Sequence, residues 1–352
     1  MQLQFRRHDL TLAHAWAVAG GAAKLSHPVV FVTLTDADGV VGRGEASPSR
    51  RYCETAASAE KFLALVDARR LSFTDLTGSM AYLEALAPGE FAAKSALNLA
   101  LLDGAAQRTG QPLHNFIGLG FREGRHVTSF SIGIDRPAVI RKKVLAAAEF
   151  PVLKLKVGSG HDRENFAALR EAAPTKPVRV DANEAWPTKE LALENIEWLA
   201  ADGRVQFVEQ PLPATASVAD GAWLKARSPL PLFADESYHT AADAARCAEC
   251  FHGVNVKLCK TGGGANAHAA LHAARTAGLQ TMLGCMIESS LLITAAAHLA
   301  ELTDFLDLDG NLLVTDDPFR GVTSTGGVLS FASARKKTGL RVEPAGGGGN
   351  FL

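Results

Sequence analysis

Leu153-Lys-Leu-Lys-Val157, Val178-Arg-Val-Asp-Ala-Asn183, Val205-Gln-Phe-Val-Glu-Gln210, Leu232-Phe-Ala-Asp-Glu236 and Val254-Asn-Val-Lys257 form a series of short apolar runs, each ending on a charge. The charges are Lys156, Asp181, Glu209, Asp235 and Lys257, separated by 25, 28, 26 and 22 residues. Each gap has room for a strand, a loop and a helix, because a βαβ crossover takes roughly 30 residues or a little fewer. Successive parallel strands would deliver their last residues to one common rim. Charges at the C-terminal ends of barrel strands read as catalytic rather than structural. Three carboxylates flanked by two lysines therefore suggest a divalent-metal site between two bases.

The pattern extends on both sides of that series. Eight strand candidates lie near 127–131, 152–157, 177–181, 205–209, 231–235, 253–257, 279–284 and 304–308, alternating with Ala-rich helical stretches. This predicts an α/β fold, a (β/α)8-type barrel over residues 121–330 with one unit modified. An open doubly wound sheet gathers its site at one topological switch point, so it does not account for charges on so many successive strands. Gly262-Gly-Gly264 lacks the spacing of a phosphate loop and reads as a tight turn.

Residues 1–120 have a different character. Val29–Thr35, Asp36-Ala-Asp-Gly39 and Val40–Glu45 predict a β-hairpin on an Asp-Gly turn. Residues 54–70 and 89–108 have helical spacing, and the second stretch stops at Gly110-Gln-Pro112. The expectation is an N-terminal α+β module, rejoined by the segment 331–352, whose glycine run Gly346–Gly349 ends the chain loosely.

Composition narrows the function. The 352 residues are 47% hydrophobic and 21% charged with a formal net charge of −1, which leaves no electrostatic footprint for nucleic acid or an anionic membrane. The N-terminus lacks the order of a signal peptide, and no uncharged apolar run of about 18 residues appears. Five scattered cysteines point to reduced thiols and a cytoplasmic home. Cys247-Ala-Glu-Cys250 lies in a helical stretch without a second pair, so it reads as structural rather than as a zinc or redox motif.

Asp181, Glu209 and Asp235 offer only hard oxygen ligands, which favours Mg²⁺. Lys154 and Lys156 are two apart on one strand and face the same side. Their mutual repulsion and a neighbouring cation are expected to lower the ammonium pKa toward that of a usable general base. Lys257 arrives from the sixth strand, opposite the second. Two lysines across a metal-bound substrate can remove a proton from one face of a carbon and return it to the other, the layout for racemisation or epimerisation. A metal ion there would stabilise the charge that develops as an α-proton leaves.

Lys154-x-Lys156, Asp181-Ala-Asn183, Glu209-Gln-Pro211, Asp235-Glu-Ser237 and Asn255-Val-Lys257 together resemble the enolase superfamily in its muconate-lactonizing subgroup, across essentially the whole chain. The resemblance makes residues 1–120 the family's capping domain. It implies that Asp181, Glu209 and Asp235 hold Mg²⁺, that Lys156 and Lys257 exchange the α-proton, and that Lys154 tunes Lys156. Asp307-Leu-Asp309 resembles the Asp-x-Asp motif of dipeptide epimerases, where it binds the α-ammonium of the substrate, a contact suited to charge-assisted hydrogen bonds. Met282–Glu288 and Thr315-Asp-Asp317 resemble the same enzymes.

The implied activity is Mg²⁺-dependent inversion of the C-terminal residue of L-Ala-Xaa dipeptides, with L-Ala-D/L-Glu first. Substrate choice is expected in the loops Trp16–His27 and Ser47–Glu54, the second with Cys53 where glycine is expected. Lys24, Arg51 and Glu288 are further candidates for substrate binding, while Trp16 and Val18 would suit a hydrophobic Xaa. N-succinylamino-acid racemase and o-succinylbenzoate synthase share the lysines and metal ligands, but their substrates lack an ammonium for Asp307 and Asp309. The same objection applies to muconate cycloisomerase. A non-catalytic scaffold would leave the Lys/carboxylate/Lys set unexplained. The expected partner is a small molecule, with no nucleic acid or membrane, and the oligomeric state, including a homo-oligomer, is left open.

Overall fold

The computed structural model describes residues 1–346, so most of the glycine run at the end of the chain lies outside the described residues. In the N-terminal part, β1 (Gln2–Trp16), β2 (Lys24–Thr35) and β3 (Val41–Ala46) form an antiparallel sheet in that order. Asp36 Oδ1 accepts the amides of Asp38 and Val40 at 3.0 and 2.9 Å, and this Asp-Gly turn folds β2 onto β3. One face of the sheet packs on the helices α1 (Ala56–Leu65) and α3 (Phe91–Arg108), and α2 (Leu76–Leu86) packs on α3. The contact with α3 is close enough to require glycine. A Cβ on Gly42 or Gly44 would fall 2.0 or 1.8 Å from the carbonyl oxygens of Ala100 or Ala96.

After the one-turn helix α4 (Leu113–Phe116), the strands β4 (Phe130–Ile132), β5 (Leu153–Lys156), β6 (Val178–Asp181), β7 (Val205–Glu209), β8 (Leu232–Ala234), β9 (Gly253–Val256), β10 (Gln280–Gly284) and β11 (Phe305–Asp307) pair in chain order as one parallel sheet. A parallel bridge between Thr128 and Leu306, with Ser129 N donating to Leu306 O at 3.1 Å, brings the two edges together and closes the barrel. All eight strands fall on the segments the sequence marks. Helices α5 (Pro137–Ala146), α6 (Asp162–Ala172), α7 (Lys189–Ala200), α8 (Val218–Lys225), α9 (Ala244–Cys250), α10 (Leu258–Thr261), α11 (Gly264–Thr276) and α12 (Ser290–Ala297) follow the first seven strands. After β11 a 3-10 turn, Gly310–Leu313, replaces the helix, which is the modified unit.

Strand alternation stacks the barrel interior in layers. Asp181, Glu209, Asp235 and Asp307 form an upper charged layer, and two residues earlier on the same strands lie Arg179, Phe207, Phe233 and Phe305. Phe207 and Phe233 stack with ring centroids 4.2 Å apart, and Met282 completes their cluster with Phe305. Arg179 lies 5.1 Å from the Phe305 centroid and donates to Leu306 O at 2.5 Å. The floor is therefore filled, and only the rim at the strand C-termini is left open.

The N-terminal module docks through a buried carboxylate. Glu45 on β3 is fully buried and accepts from Ser289 N at 2.9 Å, from Leu292 N at 3.3 Å and from Ser289 Oγ, capping α12 across the junction. Glu45→Ala strips three buried donors and is expected to lower stability by about 3 kcal/mol, read as a lower urea midpoint. An unchanged midpoint would mean the cap contributes nothing. Leu340 N donates to Asp103 Oδ1 at 2.8 Å, which fastens the returning C-terminal segment to α3. Cys247 and Cys250 are buried, unbridged thiols on α9. Among the described residues, no helix is long and apolar enough to cross a membrane.

Candidate active site

The strand register assembles the site. Lys156 pairs with Asp181 and Asp181 with Glu209 as neighbours across β5, β6 and β7, so three charged side chains share one row. The Glu209-Gln-Pro run then fastens the next strand end. Gln210 Oε1 accepts the amides of Asp235 and Ser237 at 3.0 and 3.1 Å, which sets Asp235 beside Glu209. Asp181, Glu209 and Asp235 are at most 1% exposed, and one oxygen from each lies within 4.8 Å of the other two.

Each carboxylate has one oxygen held by the protein. Asp181 Oδ1 accepts Asn183 N at 2.9 Å, Glu209 Oε1 accepts Asn255 Nδ2 at 2.8 Å, and Asp235 Oδ1 accepts Lys260 Nζ at 2.6 Å. The other oxygen of each meets a lysine. Lys156 Nζ is 2.5 Å from Asp181 Oδ2, and Lys257 Nζ is 2.7 Å from Asp235 Oδ2. Lys154 Nζ lies 3.1, 2.7 and 2.7 Å from Asp181 Oδ2, Glu209 Oε2 and Asp307 Oδ2. Glu209 Oε2 is buried and, despite that nearby ammonium, accepts no well-aligned hydrogen bond. Three hard, converging oxygens, one of them without a hydrogen bond, fit a small divalent cation that keeps further positions for substrate oxygens.

Electrostatics follow the contacts. Burial pushes Asp235 up, but Lys257 and Lys260 overcome it and hold its carboxyl well below the usual range. Glu209 is pushed up to about 7 by burial and by Asp181. Burial disfavours the Lys154 ammonium, yet Asp307, Glu209 and Asp181 outweigh it and hold its pKa well above the ordinary value. Lys257 is likewise raised, with Asp235 the main counterweight to burial. The expectation of a lowered ammonium pKa rested on repulsion between Lys154 and Lys156 together with a neighbouring cation; around Lys154, three carboxylate oxygens lie 2.7 to 3.1 Å away. A cation on the same oxygens would compete with the lysines for them.

Asp307 and Asp309 stand at the rim beside this cluster. Asp307 Oδ1 accepts Ser129 Oγ at 2.7 Å, and Asp309 Oδ2 accepts Ser131 N at 2.6 Å. Burial raises both carboxyls. Lys154 then brings Asp307 down to about 2, whereas Asp309, facing the Asp307 charge, rises to about 7.

A cleft of about 670 Å³ opens above these groups and is lined by both expected loops. Ile134 N donates to Ala17 O at 3.0 Å, tying the first loop to the barrel. Trp16, Val18 and Lys24 line the cleft from that loop, and Arg50, Arg51 and Tyr52 from the second. Arg51 is paired within the cleft: its guanidinium grips Glu184, which also lines it, through both Nε and Nη2, the latter 2.6 Å from Oε1. Glu288 is 2% exposed, accepts Met286 N at 2.9 Å and stands behind the cleft wall rather than in it. Cys53 has φ +60°, the left-handed conformation that accounts for the expectation of glycine there. Sequence reasoning named Asn255 only as part of the Asn255-Val-Lys257 motif, with no role, and did not single out Tyr52 or Lys260. Lys260 carried a readable signal, one helical turn beyond Lys257.

The family model "Mandelate racemase / muconate lactonizing enzyme, N-terminal domain" matches residues 6–118, and "Enolase C-terminal domain-like" matches residues 139–321. An L-Ala-D/L-amino acid epimerase of Pedosphaera parvula is 63% identical over 344 residues, covering 97% of this chain and 99% of that relative. The structure of a substrate-liganded complex of the L-Ala-D/L-Glu epimerase from Bacillus subtilis superposes with a TM-score of 0.90 at 27% identity, covering 98% of each chain. A dipeptide epimerase from Cytophaga hutchinsonii, complexed with Mg and D-Ala-L-Val, gives a TM-score of 0.89 at 27% identity, covering 97% of this chain and 95% of that one.

Proposed function

The chain belongs to the mandelate racemase / muconate lactonizing enzyme family of the enolase superfamily, and from that premise we propose that it is a Mg²⁺-dependent dipeptide epimerase inverting the α-carbon of the C-terminal residue of L-Ala-Xaa. One observation carries the reading: Lys156 and Lys257 flank a buried three-carboxylate cluster beside which Asp307 and Asp309 present two further carboxylates to the same cleft.

Asp181, Glu209 and Asp235 would hold the ion, whose bound charge makes the α-proton of the substrate carboxylate more acidic. The residues of the chain do the rest. Lys156 and Lys257 reach the reacting carbon from opposite walls of the barrel. In one direction the first lysine, neutral, accepts the α-proton while the second, as ammonium, donates to the opposite face. The reverse reaction exchanges their states. Lys154 holds the inner oxygens of the cluster and the Asp307 carboxylate together. Asp307 and Asp309 receive the α-ammonium one residue away from the reacting carbon.

Lys24 stands exposed at the cleft mouth and favours an acidic Xaa, so L-Ala-L-Glu is the first substrate. Trp16, Val18 and Ile287 form an apolar wall that favours hydrophobic Xaa as a second class. That breadth agrees with the Pedosphaera relative, which is named for D/L-amino acids rather than for glutamate alone.

A panel of L-Ala-L-Xaa dipeptides and their N-acetyl counterparts, followed by chiral chromatography, tests the reading. Free dipeptides should epimerise and N-acetylated ones should not. Asp307→Asn and Asp309→Asn should each lower kcat/KM by about a hundredfold without loss of fold, because one partner of a buried charge-assisted contact is removed. Faster turnover of N-acyl or N-succinyl amino acids would replace the dipeptide reading with that of an N-acylamino-acid racemase.

A further inference from the structure

We propose that Lys260 is a positioning residue for the metal site, fixing Asp235 Oδ1 so that Oδ2 is turned to the centre of the carboxylate cluster. The Lys260 ammonium is fully enclosed, and its three hydrogens are matched by three acceptors: Asp235 O at 2.5 Å, Asp235 Oδ1 at 2.6 Å and Asn255 O at 2.8 Å. No donor capacity remains. Unlike Lys154, Lys156 and Lys257, Lys260 does not line the cleft, so it acts through Asp235 and not on a substrate.

Its place in the chain gives the contact its use. β9 and the turn that follows it supply the holder of Glu209 (Asn255), the base (Lys257) and the holder of Asp235 (Lys260) within six residues. One short segment thus orients two carboxylates and one lysine together. Asp181, the third carboxylate, is oriented by its own loop through Asn183 N. Lys260 is also a cation beside a cation site, so a charge-only role and a positioning role predict opposite signs for its removal. Loss of charge alone would tighten Mg²⁺ binding, whereas loss of orientation would weaken it.

The proposal rests on the reading of Asp181, Glu209 and Asp235 as ligands, and the experiment separates the two. Mg²⁺ binding is measured by calorimetry on the full chain for the wild type, Lys260→Met, Lys260→Gln and the ligand control Glu209→Gln. The expected result is about tenfold to a hundredfold weaker binding in Lys260→Met, the range for residues that orient metal ligands, and a smaller loss in Lys260→Gln, which keeps a donor. At saturating Mg²⁺, kcat should fall while KM for the dipeptide stays near the wild-type value. Equal or tighter Mg²⁺ binding in Lys260→Met overturns the proposal. Undiminished binding in Glu209→Gln overturns the ligand reading itself. If the Lys260 variants fail to fold, a crystal structure of the Mg²⁺-loaded wild type decides. Asp235 Oδ1 should stay on Lys260 Nζ with Oδ2 on the ion, and an ion bound through Oδ1 would contradict it.

Discussion

Lys156→Ala and Lys257→Ala are each expected to lower the rate of dipeptide epimerisation by about 10³-fold or more, within or above the usual contribution of a positioned acid or base. Each lysine lines the cleft beside a different carboxylate of the cluster, Lys156 at Asp181 and Lys257 at Asp235. In the proposed mechanism neither serves the face that the other serves. Lys154 cannot take over for Lys156, because its ammonium is surrounded by Asp181, Glu209 and Asp307. Truncation should leave the barrel folded, since Lys154 still faces Asp181 and Lys260 still faces Asp235. Steady-state epimerisation measured by polarimetry or chiral chromatography checks this, and near-normal turnover in both variants would remove the two lysines from the mechanism.

Chelation is expected to have an effect of similar size. Protein stripped with EDTA should lose activity by about 10³-fold, because a Lewis acid is worth several kcal/mol and each 1.4 kcal/mol is about tenfold in rate. Added Mg²⁺ should restore it. Lys156 and Lys257 each face only one carboxylate, Asp181 and Asp235, so these two lysines do not replace a shared cation. Without one, the substrate carboxylate would meet three buried carboxylates, and like charges at such distances repel strongly. Full activity after exhaustive chelation would contradict the reading of the cluster as a metal site.

The rim was legible because two signals coincided. Strand spacing placed five charges at five successive strand ends, and chemistry made three of them hard oxygen ligands. The Asp36–Gly39 turn was legible for a local reason, since an Asp-Gly pair encodes its own geometry. Other elements were not. β1 is half exposed, and its polar alternation of Gln2, Gln4 and Arg6 does not stand out as a strand. α2 contains Gly78 and Ser79, poor helix formers, and depends on the Asp75 cap, which accepts Gly78 N at 2.8 Å.

Long-range pairing was the harder part of the site. Arg51 and Glu184 are 133 positions apart, and no spacing rule predicts that this guanidinium is taken. Lys260 sits one turn after Lys257, but only the fold shows that it turns inward to Asp235. The charge balance at Lys154 was hidden for the same reason. Sequence places Lys154 and Lys156 side by side, and it does not show that Asp307 arrives from 153 positions away to offset their repulsion.

The two-base mechanism is tested most directly by α-hydrogen exchange in D₂O, followed by NMR or mass spectrometry from each epimer separately. Lys156→Ala and Lys257→Ala should each exchange the α-hydrogen of one epimer only, and the two variants should choose opposite epimers. Exchange from the same single epimer in both variants, or undiminished exchange from both epimers in either, would contradict the assignment of one lysine to each face.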